Sequence, residues 1–296
     1  MASTTTTTPA VPSRRSTVLR RTAGRLGLYT GIAAIIVWCL GPFYWMVVTA
    51  FRQVGFTFDT TPWPTHVTLD DFRTAFDTSR GNHFGQALLN STIIGAATTA
   101  IAMLVGTFAA YAVARLHFRG KFLVLGLVLS AAMFPGVALV TPLFQLFTRI
   151  HWLGTYQALI IPDISFALPL TVWILTSFFA EMPWELEQAA RIDGCTPAQA
   201  FRLVILPLAA PALFTTAILV FISAWNEYLL SSLLSNGNAA VAPVTVAIAG
   251  FTGSQPHQEP YTAVMAAGTV VTIPLIIVVL LFQRRIISGL TAGAVK

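Results

Sequence analysis

Asp163 and Glu227 are carboxylates set inside long apolar stretches. A charge in such a place is costly unless it pairs, hydrogen-bonds or faces a polar interior. Two kinds of chemistry suit it: relay of a proton, or hydrogen bonding to a ligand rich in hydroxyls. Glu227 belongs to the run Trp225-Asn226-Glu227-Tyr228. An aromatic ring beside an amide and a carboxylate suits a sugar, whose C–H face stacks on the ring while its hydroxyls bond the polar groups. The competing readings are an interfacial aromatic belt for Trp225 and a structural hydrogen-bonded site for the carboxylates, with Asn90 as a partner. Covalent chemistry has little to stand on. The sequence lacks a Gly-x-x-x-x-Gly-Lys-Ser/Thr phosphate loop and a Gly-x-Ser-x-Gly nucleophile turn. His66, His83, His117, His151 and His257 are scattered without metal-ligand spacing, so no metal site and no bound cofactor is expected. Cys39 and Cys195 lie in an apolar span and a polar hinge, which gives no disulfide framework.

The elements that carry these residues are membrane spans. Of 296 residues 55% are hydrophobic and 9% charged, far below the roughly one-quarter charged of soluble domains. Six spans, each near the ~20 residues a bilayer requires, can be drawn at Leu26–Phe51, Ala87–Ala114, Phe122–Phe147, Tyr156–Ala180, Pro211–Leu234 and Ala263–Gln283. The expected fold is therefore all-α, a polytopic membrane protein with six transmembrane helices. Residues 1–25, with the Thr4–Thr8 run and five arginines, read as a disordered basic cytoplasmic tail. Residues 26–283 form the six-span domain, with a cytoplasmic loop at 183–207, and 284–296 form a cytoplasmic tail. With both termini inside, thirteen of the seventeen Lys and Arg fall on the cytoplasmic side; Arg52, Arg73, Arg80 and Arg149 do not. That bias fits the positive-inside rule. The net charge of +6 then concerns orientation, and no aromatic-interleaved basic patch points to nucleic acid. At 1.5 Å per helical residue, Asp163 lies ~12 Å and Glu227 ~10 Å below the outer surface, so the two could share one level. Met133-Phe134-Pro135-Gly136 and Pro274 fall mid-span, where a break either lines a cavity or merely shapes packing. In the outer loops a short helix is expected around Leu69–Phe76, and Val241–Phe251 is too short to span and packs outside or reaches into a partner.

Between the fourth and fifth spans lies the longest polar interruption of the second half, Glu185 to Pro207. It reads as two short helices with a hinge. Pro183 suits a first helical position, and Glu185 and Glu187 suit the positive end of the helix dipole. Glu187 and Arg191 are spaced for an ion pair. Gly194 is placed just past a helix end. Thr196-Pro197-Ala198-Gln199 is a capping sequence for a second helix, and Pro207 kinks or stops it. Ala189 and Ala190 leave a small face that another protein could approach; a loop that only connects two spans is the plainer reading.

This stretch resembles the EAA loop of the membrane subunits of bacterial ABC importers: Glu-Ala-Ala, three residues, Gly, nine residues, Ile, any residue, Leu-Pro. Ala189, Ala190, Gly194, Leu206 and Pro207 fall on that spacing, whereas Gln188 stands for the family's Glu and Val204 for its Ile. Trp225-Asn226-Glu227-Tyr228 and the ending Gly289 to Lys296 are similar to the fifth span and tail of MalG-type sugar permeases, with a looser likeness to SugB-type chains. The resemblance implies that Glu187, Gln188, Ala189, Ala190, Arg191, Asp193, Gly194, Leu206 and Pro207 couple the chain to ATPase subunits, and that Trp225, Asn226, Glu227, Tyr228, Asp163 and Asn90 lie along a substrate path. It implies two ATPase subunits that hold ATP and Mg, a second homologous permease chain, an extracytoplasmic sugar-binding protein, and membrane lipid around a multi-pass inner-membrane protein. The substrate implied is a disaccharide or oligosaccharide, of trehalose or maltose type. An ion-coupled secondary transporter working through Asp163 and Glu227 is the alternative, and the internal repeats it calls for are not evident.

Overall fold

The computed structural model describes residues 14–78, 83–250 and 261–292, and side chains within them from Gly24 to Phe282. The threonine run, Arg80, Phe251, His257 and the last four residues lie outside the described residues. Among the described residues thirteen α-helices follow in order. The first, α1 (Arg14–Ala50), is followed by the short α2 (Asp70–Ala75) and by α3 (Phe84–Arg115). Next come α4 (Lys121–Ala132), α5 (Gly136–Arg149) and α6 (Tyr156–Glu181). The polar loop holds α7 (Glu185–Ile192), α8 (Pro197–Ala200), a π-turn at Phe201–Ile205 and α9 (Leu206–Leu208). The chain ends with α10 (Ala210–Trp225), α11 (Leu229–Leu234), α12 (Val244–Ala249) and α13 (Tyr261–Ala292). Among the described residues four helices are long and apolar enough to cross a membrane, and two bent pairs bring the number to six.

Both bends fall where prolines in the sequence point to a break or a stop, at Met133–Gly136 and just after Pro207; the interruption after Trp225 was not expected. α4 and α5 meet at 89° across Met133–Pro135, because Pro135 cannot donate the bond that would carry the helix on. The fifth span is broken twice. The helices on either side of Ala209 are bent by 72°, where Pro207 and Pro211 each remove a donor. At its other end α10 stops at Trp225. Asn226 turns its amide back onto the Ile222 carbonyl at 2.8 Å, competing with the ladder. The Glu227 carboxylate then starts α11, accepting from the amides of Leu230 and Ser231 at 2.8 Å each. α13 passes through Pro274 without a break. Two boundaries also move: residues 14–25, expected as a disordered tail, belong to α1, and α13 runs to Ala292 rather than Gln283.

The centre is built from α3, α6 and α10. Small residues on α3 let its neighbours come close, as membrane helix packing favours. At Gly106 an added Cβ would stand 2.4 Å from Thr171 Cγ2 of α6, and at Gly95 it would stand 2.9 Å from the Phe221 ring of α10. α1 and α4 lie outside this core with apolar side chains open, Trp38 and Phe122 at 84% and 78% exposure. Such faces belong against lipid or other apolar helices.

At the end of the molecule opposite the polar loop, α2 is the short helix expected there. Arg52, fully buried, organises the chain before it. Its guanidinium donates to the carbonyls of Asp59 and Thr61 and lies 4.8 Å from the centre of the Trp45 ring. Hydrogen bonds from the Thr61 hydroxyl and amide, and from Thr65, hold the Asp59 carboxyl below its usual pKa. The 241–250 piece is not a span; α12 folds back onto α3, with Val244 completely buried.

Candidate functional site

Two regions hold most of the residues singled out from the sequence: the polar loop at one end of α3, and a cavity near the bends of the third and fifth spans.

In the loop, α7 begins two residues later than Pro183 suggested. The Trp184 carbonyl accepts from the amides of Glu187 and Gln188, so Trp184 is the capping position. Gly194 has φ +91°, the left-handed conformation that glycine adopts without strain. The Cys195 amide reaches back to the Ala190 carbonyl at 3.0 Å, closing the helix end. Thr196 and Gln199 form the reciprocal capping box, with bonds of 2.8 and 3.3 Å, and Pro197 takes the first helical position. The loop is thus two helices joined at a glycine hinge, as its residues dictate.

The faces of α7 differ from the expectation in two respects. Ala190 is turned into the protein and Ala189 out, so the two alanines do not share a face. Glu187 and Arg191 form no close ion pair among the described residues. Glu187 is instead buried, and one of its oxygens accepts from the Tyr111 hydroxyl of α3 at 3.2 Å. The outward face carries Gln188, Ala189, Arg191, Ile192, Asp193 and Gly194, all exposed. Ile192, at 86% exposure, was not picked out from the sequence. A branched apolar residue on an otherwise polar helix is the signal that would have found it, since exposed apolar groups mark contact surfaces when they join a patch. Leu206 packs against the buried cluster around Phe201 and Ile205, while Pro207 is exposed.

The second region is a cavity of about 350 Å³. Asp163 of α6 and Glu227 both line it, together with Thr98 of α3, Phe166, Ser223 and Gly136 beside the α4–α5 bend. The structure thus brings together the two carboxylates that depth alone placed at one level. Their situations differ. Both Glu227 oxygens are engaged at the start of α11, and its carbonyl accepts from Thr245 at 2.7 Å. Asp163 is buried, and its Oδ2 has no hydrogen-bond partner.

Trp225 and Asn90 fall elsewhere. Trp225 is only 1% exposed, packed among Ala75, Phe84, Ala87, Val244 and Ala263, and it does not line the cavity. A ring so enclosed cannot stack on a sugar, which corrects the expectation. Trp225→Ala is therefore expected to remove about 3–5 kcal/mol of packing, and to lower the yield of folded protein in a thermal unfolding assay; an unchanged melting curve would contradict the packing role. Asn90 is a tie between α3 and the segment before α12. It accepts from Tyr156 and Gln86, at 2.6 and 2.9 Å, and donates to the Ala239 and Ala242 carbonyls. It does not join Asp163. Asn226 and Tyr228 are exposed beside the break.

A family model described as the binding-protein-dependent transport system inner membrane component matches residues 85–291. The chain is 49% identical over 262 residues to the trehalose transport system permease protein SugB of Mycobacterium tuberculosis, covering 88% of this chain and 94% of that one. It is 42% identical over 275 residues to the trehalose/maltose transport system permease protein MalG of Thermococcus litoralis, covering 92% and 97%. In structure it is similar to a chain of a bacterial ABC transporter involved in the import of the acidic polysaccharide alginate, with TM-score 0.72, 20% identity and coverage of 93% and 99%. That last likeness speaks to the fold. The chain belongs to the binding-protein-dependent transport system inner membrane components: an all-α membrane protein that serves transport and is not itself an enzyme.

Proposed function

We propose that this chain is one of two permease subunits of an ATP-driven importer that carries a disaccharide of the trehalose or maltose type into the cell. The observation that carries the reading is the 49% identity extending over 94% of a trehalose permease. Two ATPase subunits bind and hydrolyse ATP with Mg, which this chain has no motif to do. Closure of the ATPase pair pushes on the outward face of α7, and the capped, glycine-hinged loop carries that motion into α6 and α10. A sugar-binding protein delivers the substrate on the opposite side. Cytoplasmic placement of both termini is supported by the distribution of arginines.

The cavity holding Asp163 is the part of the substrate path that this chain supplies, with the second permease chain closing the rest. A buried carboxyl oxygen without a partner is a hydrogen-bond acceptor suited to a sugar hydroxyl, and such a bond is worth about 0.5–1.5 kcal/mol. Asp163→Asn is expected to raise the KM for sugar roughly tenfold, with the complex still assembled; an unchanged KM would leave Asp163 a structural residue. Glu227, saturated by the α11 amides, shapes the wall rather than binding.

The test of the reading is purification of the tagged chain from its native membrane, identification of every protein that accompanies it, and assay of ATP hydrolysis and labelled trehalose and maltose uptake in liposomes. A second permease and an ATPase, with hydrolysis that drives disaccharide uptake, are expected. A lone chain that moves sugar or protons without ATP would overturn the proposal.

A further inference from the structure

Arg115 is a buried cation that the coupling loop itself does not explain. It ends α3, is 6% exposed, donates from Nη2 to the Met182 carbonyl at 2.7 Å, and lies 4.8 Å from the centre of the Trp184 ring. Met182 and Trp184 are the residues by which the chain leaves α6 and enters α7. One turn earlier on α3, Tyr111 bonds Glu187 inside α7. Its ring packs on Phe179 of α6 and Phe201 of the π-turn. α3 is not joined to the loop along the chain, yet it grips the loop at its entrance and at its first turn.

The other end of α3 is gripped as well. Ser91 is buried, and its hydroxyl accepts from the Val244 amide at 2.8 Å, fixing the start of α12. Asn90 beside it holds Ala239 and Ala242. Between these ends α3 is pressed against α6 at Gly106 and against α10 at Gly95, and it contributes Thr98 to the cavity. Twenty residues separate Ser91 from Tyr111, or about 30 Å along the helix.

We infer that α3 is a strut between the coupling loop and the far mouth of the path: Tyr111 and Arg115 fasten its loop end to α7, and Asn90 and Ser91 fasten its far end to residues 239–244. A displacement of α7 then moves the far segment directly, without passing through the two broken helices, whose bends would absorb it. Tyr111 and Arg115 are positioning residues; neither faces the sugar or the nucleotide. The inference rests on the importer reading above.

The test uses the complete complex, with its ATPase subunits, second permease and binding protein, reconstituted in liposomes and assayed with labelled trehalose. Three variants are compared with wild type: Tyr111→Phe, which keeps the ring and its aromatic contacts, Arg115→Gln, and Ser91→Ala. Each is expected to retain its ATPase partners and its hydrolysis in the absence of binding protein, while sugar moved per ATP falls about tenfold, the scale of a coupling free energy. Arg115→Lys, which restores a donor and a cation beside Trp184, is expected to recover most of the loss. Independent sites so far apart would add; Tyr111→Phe combined with Ser91→Ala is expected to be no worse than either alone. Variants that couple as well as wild type, effects that add, or losses that simply follow loss of assembled complex would each overturn the strut. A wild-type complex whose hydrolysis does not drive uptake would instead overturn the importer reading itself.

Discussion

Gly194→Val is expected to impair coupled uptake severely. The backbone at Gly194 sits at φ +91°, a conformation that is a genuine outlier for a β-branched residue. No atom lies within 4 Å of where a Cβ would stand, so the effect comes from the backbone and not from a clash. Holding one L-residue in left-handed geometry takes roughly 1–2 kcal/mol, and valine, stiff at χ1, takes more. The chain can relieve this only by leaving the left-handed region. The Cys195–Ala190 bond that closes α7 would then be lost. Thr196, whose capping box opens α8, would be re-aimed, and the outward face of α7 would no longer be presented at a fixed angle. Uptake by the reconstituted complex is expected to fall at least about tenfold, given that scale of strain, and less ATPase is expected to co-purify. Gly194→Asn is the control, because asparagine visits left-handed geometry with less strain, and it should keep most activity. Normal uptake by the valine variant would remove the hinge from the coupling role.

That prediction is possible because the loop was written in local signals. Glycine past a helix end, Thr-Pro-x-Gln at a helix start and acidic residues in a first turn each act within a few residues of themselves, and all three are found where the sequence places them. The spans were legible to the same degree that they depend on length and apolarity alone. What failed depended on partners distant in the chain. Trp225 reads as a sugar platform from its neighbours Asn226 and Glu227. Its burial is decided by Ala75, Phe84, Val244 and Ala263, which come from four other elements. Asn90 reads as a polar partner for the buried carboxylates, but the carbonyls of Ala239 and Ala242 claim its amide. The fifth span looked continuous because hydropathy does not register that a carboxylate such as Glu227 can serve as a helix start in an apolar setting. Tyr111 and Arg115 carry no signal of their own in the sequence, since a tyrosine and an arginine near a span end also describe an ordinary membrane interface.

The packing of α3 on α6 gives the second large effect. At Gly106 an added Cβ would lie 2.4 Å from Thr171 Cγ2 and 3.1 Å from Thr171 Cβ. Thr171 is wholly buried, and its hydroxyl bonds the Ala167 carbonyl at 2.8 Å, so it cannot swing away freely. Gly106→Val must therefore part the two helices. Overpacking of this kind generally takes about 1–3 kcal/mol and occasionally more, and contact with the Cβ of Thr171 as well as its Cγ2 puts it at the upper end. The separation would spread to the Ala110, Leu175 and Phe179 cluster one turn away, which underlies the coupling loop. The yield of folded chain in detergent is expected to fall several-fold, about what a loss of 1–3 kcal/mol produces in a marginal protein, and the apparent melting temperature should drop. Gly126→Ala, at a position with no atom within 4 Å, should change neither. Gly106→Ala is the milder step, and adding Thr171→Ala removes the Cγ2 that it meets at 2.4 Å, leaving only the tight 3.1 Å approach of the Cβ. Partial rescue of the alanine variant by this second change would locate the damage at the α3–α6 contact. If Gly106→Val expressed and melted like wild type, α3 and α6 would not be held as closely as the strut requires, and motion of the loop would have to reach the cavity through the helices joined to it along the chain, α6 and α10.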